Sequence, residues 1–107
     1  MKKLFVMVCA AGFLLLAAGS AGYAGESKTL FVNKCGSCHR AGGEAEPFAP
    51  TKFASYQWKK YFERDRHKRR KDISGEMTVS ERAAIQEYLV NHAADSERPE
   101  AIGLSGY

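Results

Sequence analysis

Hydrophobic positions recur at helical spacing in three segments of this chain, and no segment shows the alternation typical of a strand. The first segment, residues 26–34, carries Leu30 and Phe31 as an apolar edge, with Ser27 available to cap its start. The second segment begins at Ser55 and has large aromatic side chains at positions i, i+3 and i+4. These side chains belong to Trp58, Tyr61 and Phe62.

The third segment gives the clearest helix signal. Thr78 and Glu81 form a T-x-x-E capping box, and Met77 precedes it at the position of a hydrophobic staple. Side chains that suit one buried helix face then follow at helical spacing, at Ile85, Tyr88, Leu89 and His92. The pattern predicts a helix that ends between residues 91 and 96.

The segments outside these helices have the composition of loops. Residues 40–54 contain two adjacent glycines and two prolines, so we expect an extended loop in which Phe48 and Phe53 cover an apolar surface. Residues 97–107 contain one proline and two glycines and are expected to form an irregular tail. The prediction is an all-α fold of about three helices.

The start of the chain is typical of an export signal. Two lysines precede an uncharged apolar run over residues 4–18, which is shorter than the roughly 20 residues needed to span a bilayer. Small residues follow and end at Ala24, where we expect cleavage. The predicted organisation is a signal peptide over residues 1–24 and a domain over residues 25–107, in an exported, periplasmic protein with no stable membrane span after cleavage.

The remaining domain is too short to build a large core. Cleavage leaves 83 of the 107 residues, and domains of that size commonly rely on disulfides, metals or cofactors. Cys9 leaves with the signal, so the two remaining cysteines supply no disulfide framework. A bound cofactor is therefore the expected centre of the core, although composition excludes neither a binding module nor an enzyme.

The two cysteines belong to a C-x-x-C-H sequence, the signature of c-type haem attachment. On one helical turn, residues i, i+3 and i+4 share a face. Cys35 and Cys38 can therefore form thioethers with the haem vinyl groups while His39 binds the iron. The motif predicts one covalent haem c.

Two other functions use the same cysteine spacing. A thioredoxin-like dithiol is expected between a strand and a helix, a context that this sequence lacks. A structural zinc site needs about four protein ligands, and no second Cys/His pair lies at suitable spacing. Haem attachment is therefore favoured.

With its helix before C-x-x-C-H and its C-terminal helix, the chain resembles small bacterial cytochromes c. Trp58, His67 and residues 88–96 also resemble the first-haem region of the dihaem cytochrome c family. In that family a histidine before the C-terminal helix binds the haem opposite the motif histidine, which implies this role for His67. The chain has only one C-x-x-C-H, so the resemblance implies a monohaem protein.

The second axial position of the iron has three candidate ligands. His67 is favoured by the resemblance, provided that the second helix breaks before it and lets the side chain turn back. Met77 is the alternative suggested by ordinary cytochromes c, although the staple position also explains it. His92 is less favoured because a histidine on an apolar helix face commonly forms a hydrogen bond in the core. Around this haem, the expected pocket residues are Trp58, Tyr61, Phe62 and Tyr88.

A basic cluster lies between the second and third helices. Residues 64–71 carry a net charge of +5, whereas the whole domain after cleavage has 14 basic and 12 acidic side chains. The cluster is either a solvated loop or, from Arg64 to Lys71, a docking surface for acidic redox partners. Nucleic acid is not an expected partner of an exported protein.

The sequence therefore predicts an electron carrier and not an enzyme. The alternative function is that of a haem protein with an open distal site that reacts with gases or peroxide. Whether a side chain occupies the distal position or leaves it open to small ligands separates these two functions.

Overall fold

A computed structural model describes residues 26–107 of the chain. Helix α1 spans residues 26–35 of the described part and changes from α-helix to π-helix over Phe31–Cys35. Helix α2 is Ser55–Glu63, and helix α3 is Val79–Asn91. Short 3-10 turns lie at Pro50–Lys52, Arg66–Arg69 and Gly103–Gly106. The all-α prediction is confirmed, since these 82 residues contain no strand beyond an isolated bridge between His39 and Ala45.

The predicted cap of helix α3 is present. The Thr78 hydroxyl accepts a hydrogen bond from the Glu81 N–H at 3.1 Å, and the Thr78 N–H donates to the Glu81 carboxylate at 2.9 Å. The position that a staple at Met77 would contact is Arg82, a charged residue, so Met77 has no apolar partner there. Met77 packs against the hydrophobic core instead.

The core joins all three helices and the end of the chain. Its buried side chains are those of Phe31, Trp58, Ile85, Tyr88, Leu89, Ala93 and Leu104. Trp58 is fixed in it by a hydrogen bond from its indole N–H to the Pro50 carbonyl at 2.7 Å. Helix α2 also packs against helix α3.

Two predictions about the ends of the chain were wrong. Ser27 is buried inside helix α1 and does not cap its start. The tail is not irregular throughout, because Leu104 is 1% exposed and its N–H donates to the Phe48 carbonyl at 2.9 Å. Gly103 has a φ of +50°, and a Cβ there would lie 2.7 Å from the same carbonyl oxygen, so only glycine allows this approach.

The sequence predicts a signal peptide followed by a domain that has no stable membrane span. Within residues 26–107, no helix has the length and apolar character needed to cross a bilayer. The predicted signal peptide, residues 1–24, lies outside the described residues.

Candidate functional site

The C-x-x-C-H motif forms one turn at the end of helix α1. The N–H groups of Cys38 and His39 both donate to the Cys35 carbonyl, at 3.3 and 2.9 Å. Both cysteines are free thiols, and all three motif side chains line a single cavity. The helical turn expected from the spacing is therefore present, and it directs the motif towards one space.

The cavity has a volume of about 530 Å³. This value lies within the range of about 300–1,000 Å³ typical of small-molecule and cofactor sites. Its apolar wall is formed by Phe48, Phe53, Trp58, Tyr61, Phe62, Ile73, Met77, Ile85 and Leu89. A largely apolar ligand suits such a wall.

His39 is held in one tautomer by its own loop. Its Nδ1 lies 2.7 Å from the Glu46 carbonyl oxygen. Because a carbonyl oxygen only accepts, Nδ1 carries the proton and Nε2 keeps its lone pair. The ring also packs edge-on against Phe48, with centroids 4.8 Å apart. This arrangement is typical of a metal-binding histidine, whose second nitrogen is fixed by a backbone carbonyl.

His67 enters the same cavity from the other side. Helix α2 ends at Glu63, and Asp65 adopts the left-handed conformation with a φ of 48°, which reverses the chain before the 3-10 turn. The Nδ1 of His67 donates to the Lys71 carbonyl at 2.8 Å, so its Nε2 also keeps a lone pair. The expected break before His67 is present, and it occurs at Asp65.

The two imidazole rings lie a short distance apart. Their ring centroids are 6.2 Å apart, with an interplanar angle of 76°. A metal–imidazole bond is about 2 Å long and a ring centre lies about 1 Å beyond the nitrogen, so two imidazoles on opposite sides of one metal ion have centroids about 6 Å apart. The observed separation therefore suits one metal ion between His39 and His67.

The other predicted site residues divide into two groups. Met77, Trp58, Tyr61 and Phe62 all line the cavity. Tyr88 is not among the residues that line the cavity, and its ring packs on Phe31 with centroids 5.3 Å apart.

His92 also lies away from the cavity lining. It caps the end of helix α3, where its Nδ1 donates to the Arg98 carbonyl at 2.8 Å and its ring packs on Tyr88. The hydrogen-bonded histidine anticipated from its apolar neighbours is therefore present, outside the helix proper.

Two residues act on the histidines of the site through backbone atoms, so their side-chain types did not identify this role in the sequence. Glu46 and Lys71 orient the two histidines through backbone carbonyl oxygens, so any residue at those positions could do the same. Ile73 was also missed, because it lies in a polar segment without helical periodicity.

The Cys35 thiol has the electrostatic character of a structural cysteine. Burial, with a smaller effect of the neighbouring Cys38, raises the pKa of Cys35 to about 12. A thiol oxidoreductase needs a lowered pKa to supply a thiolate at neutral pH. The zinc alternative also lacks support in the described chain, where no group of three or more His, Cys, Asp or Glu residues is arranged to hold a metal ion.

The rim of the cavity carries charged side chains. Lys71 forms an ion pair with Glu44 at 3.1 Å, and the hydrogen bond between them lowers the pKa of Glu44 and raises the pKa of Lys71. Arg82 donates to the Phe62 carbonyl at 3.0 Å and to the Asp65 carboxylate at 3.2 Å. Arg70 also lines the cavity, which places part of the basic cluster at its edge.

Comparison with protein families gives a match to a known family. The family model for cytochrome c matches residues 24–97, which include the C-x-x-C-H motif and the helices α1, α2 and α3. Neither the curated proteins nor the solved structures give a match. Such a family match implies a covalently attached haem c, and the residues fit it: two thiols and the His39 imidazole on one wall, and aromatic side chains around the space.

Proposed function

The chain belongs to the cytochrome c family, and on that premise we propose that it is an exported monohaem electron carrier in which His39 and His67 would bind the haem iron. The observation that carries this proposal is the pair of imidazoles with centroids 6.2 Å apart in one cavity. Each has its Nδ1 fixed by a carbonyl, which leaves both Nε2 atoms available to one iron.

The protein residues have separate roles around this group. When bound, haem c supplies a redox centre that accepts and releases one electron. Cys35 and Cys38 would attach it covalently, whereas Trp58 and Phe62, which line the cavity, would exclude water from it. Two imidazole ligands are expected to give a lower reduction potential than a Met/His pair, because thioether sulfur favours reduced iron.

Met77 is the competing distal ligand. It lines the cavity, and the absence of an apolar staple partner removes one of the explanations for its position. His67 is preferred because both its orienting hydrogen bond and its distance from His39 match those of an axial ligand. The alternative function, reaction with gases or peroxide at an open distal site, would require both side chains to stay away from the iron.

Spectra of three variants test the distal ligand. We expect His67→Ala to convert a six-coordinate low-spin haem into a form that is largely high-spin and binds carbon monoxide rapidly. Met77→Ala should stay low-spin, and His92→Ala is the matched control because His92 lies away from the cavity lining. An unchanged His67→Ala, with a sulfur-to-iron charge-transfer band lost in Met77→Ala, would assign the ligand to Met77.

The basic cluster, residues 64–71, is the proposed docking surface for acidic redox proteins. Its exposed cations that form no ion pair within residues 26–107 are Arg64, Arg66, Lys68, Arg69 and Arg70. They surround the segment that carries His67, and Arg70 lines the cavity, so a partner docked there approaches the haem edge. Charge attraction of this kind accelerates encounter at low ionic strength.

Charge reversal tests the docking surface. We expect Arg69→Glu to slow electron exchange with an acidic redox protein at low salt, and the difference to vanish at high salt. Arg98→Glu, an exposed arginine outside the cluster, is the control for net charge alone. Equal slowing by both variants would show that the cluster has no special role.

Mass spectrometry of the exported protein tests cleavage after Ala24 at the same time as haem addition.

A further inference from the structure

One ion pair connects the two sides of the cavity at its rim. The Lys71 ammonium lies 3.1 Å from the Glu44 carboxylate. Both residues line the cavity, and their side chains are 44% and 64% exposed, so the pair lies at the open edge. No part of the proposed electron-transfer site described above requires this contact.

Glu44 belongs to the loop that holds His39. The Ala45 N–H donates to the Cys38 carbonyl at 3.0 Å, and the Arg40 N–H donates to the Ala45 carbonyl at 3.2 Å. Two residues after Glu44, the Glu46 carbonyl accepts the hydrogen bond from His39. The Glu44 carboxylate is therefore attached to a loop whose position is set by the haem-attachment motif.

Lys71 is bonded to His67 twice through its backbone. Its N–H donates to the His67 carbonyl at 2.9 Å, and its own carbonyl accepts from the His67 ring at 2.8 Å. Arg66–Arg69, the turn that contains His67, has no buried residue. Burial therefore contributes little to the position of His67, and a side-chain contact of Lys71 has a direct influence on it.

We propose that Lys71 is a positioning residue for the distal ligand, and that its ion pair with Glu44 straps the His67 segment to the haem-attachment loop. This inference rests on the proposed role of His67 as ligand. The strap reduces the fraction of time for which His67 is dissociated from the iron. Small ligands therefore reach the iron on the His67 side less often. An exposed ion pair stabilises a structure only weakly, so the strap adjusts access and does not determine the fold.

The test is the rate of carbon monoxide binding to the reduced haem protein. Lys71→Gln and Glu44→Gln keep the backbone carbonyls and remove the ion pair. We expect each to bind carbon monoxide about two to five times faster than the unmodified protein, and the double variant to bind no faster than either single one. Lys68→Gln is the matched control, because Lys68 lies in the same segment without an ion pair among the described residues.

Two further measurements separate a strap from a general structural effect. Exchange of the charges, with Glu44→Lys and Lys71→Glu together, should restore slow binding. High salt should accelerate the unmodified protein towards the rate of Lys71→Gln and leave Lys71→Gln nearly unchanged.

The outcomes distinguish the strap from the proposed function. If His67→Ala binds carbon monoxide rapidly but Lys71→Gln and Glu44→Gln match Lys68→Gln, the strap is wrong and the ligand assignment stands. If His67→Ala binds no faster than the unmodified protein, the ligand assignment is wrong and the strap is wrong with it.

Discussion

The two sides of the cavity are built in different ways. On the attachment side, Cys35, Cys38 and His39 follow a helix anchored by Phe31, which is 1% exposed. On the distal side, His67 lies in a short turn with no buried residue, in the most strongly basic part of the chain. The attachment side is held by the core, whereas the distal side is held by hydrogen bonds and ion pairs near solvent.

This difference separates stability from chemistry. Loss of core packing on the attachment side affects the whole fold, because the core joins that side to all three helices and the tail. Changes on the distal side affect mainly one ligand and its surroundings. Substitutions on the distal side can therefore change how firmly His67 binds the iron, or the surface charge, while they change the folding free energy only a little.

The largest expected effect comes from removal of the two thioether anchors. Cys35→Ala with Cys38→Ala should abolish covalent haem, because no other cysteine lies in the domain after the predicted cleavage site. We also expect loss of the folded state, since so short a chain has little core of its own. Haem staining of a denaturing gel and far-UV circular dichroism measure the two effects.

The distal counterpart makes this comparison sharper. His67→Ala should retain the covalent haem stain and most of its helix content, since its side chain contributes to neither the anchors nor the core. A His67→Ala protein that fails to accumulate with haem would contradict the separation of stability from chemistry.

The next largest effect is expected at Leu104, the buried residue of the tail. Leu104→Ala should lower the free energy of unfolding by about 2–5 kcal/mol, the range for a leucine removed from a core. Ile102→Ala is the control, since Ile102 is 65% exposed. Its effect should stay within about 0.5 kcal/mol. Denaturant unfolding measures both, and equal effects would show that the tail is not part of the core.

Two glycines allow a direct comparison of the sides. A Cβ at Gly36, inside the C-x-x-C-H motif, would overlap the Val32 carbonyl oxygen and press on Leu104. Gly36→Ala should therefore destabilise the protein by about 1–3 kcal/mol. A Cβ at Gly75, on the distal side, would meet no atom within 4 Å. Gly75→Ala should be neutral or stabilise by about 0.4–1 kcal/mol, through the unfolded chain.

Thermal unfolding of both glycine variants tests this contrast. If Gly75→Ala destabilises as much as Gly36→Ala, the distal side is packed more tightly than its exposed turn indicates.

The features that were predicted well from the sequence depend on interactions between residues close together in the chain. The C-x-x-C-H turn, the Thr78 capping box and the aromatic spacing of helix α2 each involve residues within four or five positions of one another. Local geometry decides such features, so one sequence is enough to predict them. The predicted start of helix α2 at Ser55 and the predicted end of helix α3 between residues 91 and 96 followed from the same patterns.

The features that were missed depend on contacts between distant segments. Leu104 enters the core because Gly103 permits a close approach to Phe48, which the tail composition did not indicate. Tyr88 has the spacing of a pocket residue, but its ring packs on Phe31 and does not line the cavity. The reversal at Asp65 was anticipated only as a possible break, because a left-handed aspartate has no distinct sequence signal.

The smallest expected effect concerns the start of helix α2, the element that leads into the distal side. Its cap position is Ala54, which has no side-chain acceptor, and Asp95 from beyond helix α3 takes over the role. The Asp95 carboxylate accepts hydrogen bonds from the Ser55 N–H at 2.8 Å and from its hydroxyl at 2.9 Å. These bonds favour the charged form and lower the pKa of Asp95 below its ordinary value of 3.8.

The sign of the pH dependence follows from that shift. A carboxyl group whose pKa is lower in the folded state stabilises the fold above its unfolded pKa, and this contribution disappears as the pH falls through the folded pKa. Asp95→Asn should therefore lower the melting temperature slightly at pH 7, since an amide oxygen still accepts the Ser55 N–H without the charge. The difference from the unmodified protein should shrink towards zero below pH 3.8. A melting-temperature difference of the same size in acid would mean that Asp95 acts only through its shape and hydrogen bonds. The charge of its carboxylate would then contribute nothing to the stability of helix α2, which leads into the distal side.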